Sequence, residues 1–333
     1  MQTHNNERTK QTPINSGFGP RTTAQEALGG QKLSGKIAIV TGGYSGLGLE
    51  TTRVLAEAGA TVIVPARTLD KAEASVAGIP GVEIGILDLM NPASIDAFAQ
   101  RFLESGRPLH ILVHSAGIMA TPLARDGRGY ESQFATNHLG HFQLAARLWP
   151  ALKQAEGARV VSVSSRGHQF AEVDFNDPNY EHREYDKWMA YGQSKTANAL
   201  FAVELDKKGK AYGVRAFSVH PGSIMTDLAR HLTDDELRAM GAIDEQGERG
   251  FKETNDELKT IPEGAATIVW CAANKQLDNK GGVYCENVEI AEAIPADGSL
   301  FGKPGVYPWA MDSESAEKLW NLSEDLTGVK FTI

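Results

Sequence analysis

From Lys36 to Val219 the chain alternates short apolar runs with longer helical patterns, and few folds accept that alternation. Ile37–Val40, Thr61–Val64, Val82–Leu87, His110–Val113, Arg159–Val163 and Val214–Val219 read as strands. Helical patterns separate them at Gly46–Ala58, Pro92–Ser105, Glu131–Gln154 and across Tyr191–Lys208. Strands without a polar face must be covered on both sides, and intervening helices make their pairing parallel. The expected fold is α/β, a single doubly wound parallel sheet of the Rossmann type with about seven strands and helices on both faces. Ligands of such a sheet sit at the carboxyl ends of its strands. A helix near Pro262–Ala273, a strand near Gly282–Glu286 and an amphipathic helix over Asp312–Leu326 complete the pattern, the last carrying Leu319, Trp320 and Leu322.

Residues 1–32 are polar and form an N-terminal arm, either draped over the domain or a neighbouring subunit or else a disordered tail. Residues 33–333 make one domain. Within it, Ile224–Ile261 is charged and contains glycine (Asp234-Asp235-Glu236, Glu245-Gln246-Gly247-Glu248), interrupting the alternation as a substrate lid does. A net charge of −9 argues against a nucleic-acid binder. Two cysteines, Cys271 and Cys285, far apart in sequence and without metal-ligand neighbours, do not make a disulfide framework. No apolar run approaches the ~20 residues that cross a bilayer, and residues 1–31 hold no signal-peptide core. The expected location is cytoplasmic, without a membrane anchor.

Thr41-Gly42-Gly43-Tyr44-Ser45-Gly46-Leu47-Gly48 follows the first strand and opens a helix. Glycines there let the backbone turn sharply and approach a pyrophosphate, which the helix N-terminus then receives. Three residues separate Gly42 from Gly46, so the spacing is not GxGxxG. The second strand ends in Pro65-Ala66-Arg67, with no carboxylate to grip a ribose 2′-hydroxyl. Arg67 suits a 2′-phosphate or the adenine face, and Asp70 is expected to cap the next helix. NADP(H) is therefore favoured over NAD(H).

Tyr191 and Lys195, four apart in an Ala-rich helix, project from one face. A cation beside a phenol lowers its pKa, and a drop from about 10 to near neutrality needs about 4 kcal/mol of local electrostatics. Tyr191 is thus a candidate general acid/base for an alcohol or carbonyl. His138 and His141 lie three apart on a helix but lack a convergent carboxylate or cysteine, so a metal is not expected.

With these residues in place, the chain from about Leu33 onward resembles the short-chain dehydrogenase/reductase superfamily. The resemblance implies that Thr41, Gly42, Ser45, Gly46, Leu47 and Gly48 hold the dinucleotide and that Asp88 and Leu89 bracket adenine. Ser115-Ala116-Gly117 lies where the family has Asn-Asn-Ala-Gly, with His114-Ser115 replacing the two asparagines and weakening one strand-stabilising contact. Asn137 matches the helix asparagine that bends its helix around a water and relays protons to the lysine, while Pro221, Gly222 and Thr226 match the loop that cradles the nicotinamide carboxamide. The implied catalytic set is Asn137, Ser165, Tyr191 and Lys195, with Ser164 as the alternative hydroxyl.

The long Ser165–Tyr191 interval, Asn137-His138-Leu139-Gly140-His141 and the tail Ser315–Glu324 resemble the retinol-dehydrogenase and WW-domain-oxidoreductase-like branch. That implies an NADP(H)-dependent oxidoreductase acting on lipophilic or aromatic carbonyls and alcohols, with Phe170, Trp188 and Met225 as candidate apolar walls. It also implies a homodimer or homotetramer built on the helices near Glu131–Gln154 and Tyr191–Lys208. The alternatives are an NAD(H)-dependent alcohol dehydrogenase or a catalytically silent dinucleotide-binding regulator, the latter disfavoured by the full set of four residues.

Overall fold

The computed structural model describes residues 8–244, 246–251 and 254–333. In chain order come α1 (Ala24–Ala27), β1 (Ile37–Thr41), α2 (Gly46–Glu57), β2 (Thr61–Ala66), α3 (Leu69–Val76), β3 (Val82–Ile86), α4 (Pro92–Glu104) and β4 (Ile111–His114). Next are α5 (Ser132–Phe134), a π-helical turn (Ala135–Leu139), α6 (Gly140–Gln154), β5 (Arg159–Val163), α7 (Lys187–Gly209) and β6 (Arg215–His220). Last are α8 (Asp234–Ala239), α9 (Ile261–Gly264), α10 (Ala266–Ala273), β7 (Val283–Glu286), β8 (Glu289–Ile290) and α11 (Ser313–Thr327).

The strands form one Rossmann-like sheet in the order β3-β2-β1-β4-β5-β6-β7-β8. The first seven are parallel, and β8 pairs antiparallel to β7. The eighth strand, beyond the expected seven, is a two-residue hairpin return too short to leave a periodic signal. Successive residues on the central strands enter opposite cores: Ile39, Leu112 and Val160 pack with α4, α6 and α7, while Val40, Val113 and Val161 pack with α2 and α10. That is why these strands carry no polar face.

Two expected helices are broken. Glu131–Gln154 starts instead with Glu131 as a carboxylate cap on Gln133 and Phe134 N–H, then passes through the π-helical turn before α6. Pro262–Ala273 divides into α9 and α10. The segment expected to form a lid, Ile224–Ile261, is helical only at α8 and a short 3-10 turn over Asp227–His231 among its described residues, and Glu245, Lys252 and Glu253 lie outside them. So do residues 1–7 of the arm. The rest of the arm drapes over its own domain. Gln11 exchanges hydrogen bonds with the Tyr284 main chain (2.8 and 2.9 Å), and Glu289 accepts from Ile14 and Ser16 N–H (2.8 and 2.7 Å). The arm thereby satisfies backbone groups at the β7–β8 edge. Among the described residues, no helix is long and apolar enough to cross a membrane.

Helix α7 is buried nearly all round, because α11 lies over the side that the sheet does not cover. Trp320 of α11 meets Phe142 of α6 edge-on at 5.2 Å and stacks on Phe201 of α7 at 6.1 Å, and Phe331 closes over it at 4.4 Å. Within the chain, α11 thus covers part of the face that α6 and α7 share. Trp320 is 4% exposed, and its truncation leaves an aromatic-sized cavity. Trp320→Ala is expected to lower unfolding stability by about 3–5 kcal/mol, read from urea denaturation. A loss under about 1 kcal/mol would mean that α11 is not docked.

Candidate active site

A cleft of about 430 Å³ opens at the carboxyl ends of β1, β2, β4, β5 and β6. Every residue expected to bind the cofactor lines it, from Thr41 through Arg67, Asp88 and Gly117 to Thr226. Its floor is the β1–α2 turn, where Gly42 and Gly46 adopt φ of +68° and +51°, conformations that side-chain-bearing residues avoid. A Cβ on Gly48 would sit 2.2 Å from the Gly42 carbonyl oxygen. The turn and the first turn of α2 thus touch through bare backbone, leaving the helix N-terminus open to the cleft. This is a cradle fitted to a pyrophosphate.

At the His114-Ser115 departure both His114 ring nitrogens are buried without a hydrogen-bond partner, and the strand ends are joined instead through Thr41. The Thr41 hydroxyl donates to Val113 O (3.3 Å) and accepts from Ser115 and Ala116 N–H (3.0 and 3.1 Å). It also meets His141 Nε2 at 2.8 Å, and the His141 ring stacks on His114 at 4.4 Å. Both rings are buried, and burial pushes His141 down to about 4, so it stays neutral. The strand-end contact is thus carried by Thr41. His138 bonds Ser323 of α11 at 2.7 Å.

Tyr191 and Lys195 project into the cleft from α7 with the sheet beneath them. Ser165 caps a 3-10 turn over Arg166–Gln169, its hydroxyl accepting from Gly167 N–H at 3.0 Å, and lines the cleft beside Tyr191. Ser164 faces away and donates to the Lys195 carbonyl at 2.7 Å. Of the two serines, the structure brings only Ser165 to the phenol. Lys195 Nζ donates to Val163 O at 3.0 Å and lies 5.5 Å from the Tyr191 ring centroid. In the protein alone, burial is the largest influence on Tyr191 and pushes its phenol up to about 12. Burial also lowers Lys195 to about 8. Desolvation outweighs the lysine charge while both groups are shut off from water.

Asn137 alone of the expected catalytic set does not line the cleft. Its amide clasps the Ile118 backbone, accepting from Ile118 N–H (2.9 Å) and donating to Ile118 O (3.0 Å) and Ser194 Oγ (2.9 Å). Its carbonyl accepts from Asn198 Nδ2 at 2.7 Å and lies 3.0 Å from His141 Nδ1. The bend sits at Asn137 as expected, but in this structure the carbonyl is occupied by protein donors.

Some cleft residues carried no signal that was used. Lys71 follows Arg67 by four residues and lines the same rim, 3.7 Å from Asp227 in the Ile224–Ile261 segment. Asp70 does not line the cleft, and Thr68, not Asp70, occupies the N-cap of α3. The spacing of Arg67 and Lys71 was the available clue. Above the phenol, Met119, Met225, Leu232 and Leu237 make an apolar ceiling. Met225 is a wall as expected, whereas Phe170 and Trp188 stand outside the cleft lining.

The chain matches the short chain dehydrogenase family model over residues 36–237 and belongs to that family. A probable oxidoreductase of Streptomyces lividans is 43% identical over 88% of this chain and 98% of its own length. Human retinol dehydrogenase 12 is 35% identical over 90% of this chain and 89% of its own, which supports the retinol-dehydrogenase-like branch. A solved structure of an uncharacterised Mycobacterium paratuberculosis protein superposes with a TM-score of 0.69 at 33% identity, covering 91% of this chain and 97% of that one. The chain is a short-chain dehydrogenase/reductase enzyme, and the family binds nicotinamide dinucleotides.

Gly48→Ala is expected to weaken NADPH binding more than tenfold, because the new methyl must displace the Gly42 carbonyl from the cradle. Calorimetric titration reads this, and an unchanged dissociation constant would separate the turn from the nucleotide.

Proposed function

We propose that the chain is an NADP(H)-dependent oxidoreductase that interconverts a lipophilic or aromatic aldehyde or ketone and its alcohol. The observation that carries the reading is the contact of the Ser165 hydroxyl with the Tyr191 phenol, beside Lys195, in a cleft floored by the glycine turn.

The bound dinucleotide supplies the hydride that reaches the carbonyl carbon. Tyr191 delivers a proton to the carbonyl oxygen, and the Ser165 hydroxyl donates a hydrogen bond to that oxygen as negative charge develops. A phenol held near 12 is protonated at neutral pH and so carries the proton that the carbonyl oxygen takes. Lys195, at about 8, is largely an ammonium at pH 7 and stabilises the phenolate that forms. Asn137 holds the Ile118 segment and α7 in register. The lid over 224–261 covers the substrate, and Met119, Met225, Leu232 and Leu237 exclude water above the reacting carbonyl.

Two cations at the adenosine end, Arg67 and Lys71, support NADP(H), since a 2′-phosphate is recognised by paired positive groups. The acidic balance and two free thiols suit a reducing cytoplasm.

Tyr191→Phe is expected to reduce carbonyl turnover at least a hundredfold and to leave the NADPH dissociation constant within about twofold, as read by NADPH absorbance and by titration. Retained turnover would remove the assigned acid. Arg67→Ala should raise the Michaelis constant for NADPH about tenfold, worth roughly 1.4 kcal/mol, with a much smaller change for NADH. Equal changes for both would remove the case for the 2′-phosphate.

A further inference from the structure

We propose that His168 is the positioning residue of the serine: it fixes the Ser165 main chain so that the hydroxyl faces the substrate oxygen. This rests on the oxidoreductase reading above, in which Ser165 holds that oxygen. His168 is fully buried and does not line the cleft, so it has no surface toward nucleotide or substrate. Its effect on the chemistry has to pass through the groups it bonds.

Both ring nitrogens are engaged, and their partners set the tautomer. Nε2 lies 3.1 Å from Tyr307 N–H, a group that can only donate, so Nε2 accepts. The proton therefore sits on Nδ1, which donates to the Ser165 carbonyl at 2.7 Å. Burial pushes the imidazole down to about 3, which keeps this neutral, directional form at neutral pH. The Tyr284 oxygen lies 3.2 Å from Nδ1, and with the Nδ1 proton committed to Ser165 the phenol proton goes to the same carbonyl, at 3.1 Å. His168 N–H adds a third bond there, also at 3.1 Å.

Three donors converging on one carbonyl fix the serine side chain as well. The direction of a residue's carbonyl sets its ψ, and Ser165 is held extended at φ −166° and ψ 161°. Its hydroxyl accepts from Gly167 N–H at 3.0 Å, which occupies one lone pair and leaves the hydroxyl proton for a ligand. His168 is itself anchored from two sides. Its carbonyl accepts from Trp309 Nε1 at 3.0 Å and lies 3.1 Å from the hydroxyl of Thr196, the residue after Lys195 on α7. A buried imidazole costs desolvation that an apolar ring of similar size avoids. Here one nitrogen is spent on the serine and the other on the segment packed behind it.

The test uses two amides. His168→Asn keeps an N–H donor near the Nδ1 position, whereas His168→Gln moves it to the Nε2 position. Reduction of benzaldehyde by NADPH is followed in each, alone and combined with Ser165→Ala. His168→Gln should lower kcat about thirtyfold, the scale of a group misplaced by about 1 Å. His168→Asn should stay within about threefold of the wild type, and neither should move the KM for NADPH more than about twofold. With Ser165→Ala in place, His168→Gln should cost nothing further, because the group it positions is gone. Equal losses in the two amides, or the same loss with and without the serine hydroxyl, overturn the assignment and leave His168 a packing residue. Crystal structures of the wild type and His168→Gln with NADPH separate this from the reductase reading. Ser165 Oγ displaced by about 1 Å, with Tyr191 and Lys195 unmoved, keeps the positioning role even where the wild type does not reduce benzaldehyde. An unmoved Oγ rejects that role even where benzaldehyde is turned over.

Discussion

Lys195 sits 5% exposed between α7 and the end of β5, with its ammonium bonded to the carbonyl of Val163. Taking a charge this far from water is costly unless neighbouring groups solvate it. Much of the architecture around the cleft serves that one placement. β5 must end at Val163 for the carbonyl to reach the amine, and Ser164 ties the same strand end to the Lys195 carbonyl. The next residue, Ser165, is then turned toward Tyr191. Strand end, serine and helix are thus locked by bonds among neighbouring residues, so the phenol, the hydroxyl and the amine hold fixed positions before any ligand arrives. Such preorganisation is what electrostatic catalysis demands.

Helix α7 can hold that geometry because it has almost no free surface. The sheet covers one side, the Arg166–Gln169 turn crowds Gly192, and α11 with Trp320 closes the rest. Gly192 and Gly167 mark where the fit is tightest: a Cβ on Gly167 would lie 2.9 Å from the Tyr191 ring, and one on Gly192 would lie 2.7 Å from Phe170. The same closure that fixes Tyr191 removes it from water and drives its pKa upward, against the effect expected from the lysine. Rigidity and desolvation come from a single source here.

How much could be read from the chain alone follows from the range of each interaction. Ile39-Val40, Leu112-Val113 and Val160-Val161 each send one residue into each core, a local pattern that identifies buried parallel strands without further information. The glycine turn and the Tyr191/Lys195 spacing are local as well. Features set by distant partners were not legible. The π-helical turn depends on Asn137 clasping Ile118, and the anchoring of Thr41 involves His141, a hundred residues away. β8 has two residues, fewer than any periodicity requires. Helix spacing reveals the charge beside Tyr191 but not the burial around it, which raises its pKa in the protein alone.

The 223–261 segment is attached to the rest of the domain at two places. At the neck, Ser223 N–H donates to Glu257 O and Lys259 N–H to Ser223 O (2.7 and 3.0 Å), a short ladder beside the nicotinamide loop. Glu257 accepts from Arg166 at 3.1 Å and from the Ser223 hydroxyl at 3.0 Å, and it lies 2.9 Å from His220 Nε2, which holds its carboxylate well below the usual pKa. Arg166 and His220 are 12% and 4% exposed, whereas the Glu257 side chain that joins them is 34% exposed. At the far side, α8 is held by the Lys187–Glu236 ion pair, whose side chains are 30% and 26% exposed and therefore accessible to salt and water. Behind that pair is the small apolar cluster of Leu232, Leu237 and Ala242 against Ala120. Ser165, next to Arg166, thus shares an anchor with the neck of this segment, while α8 is held by one ion pair and a few apolar side chains.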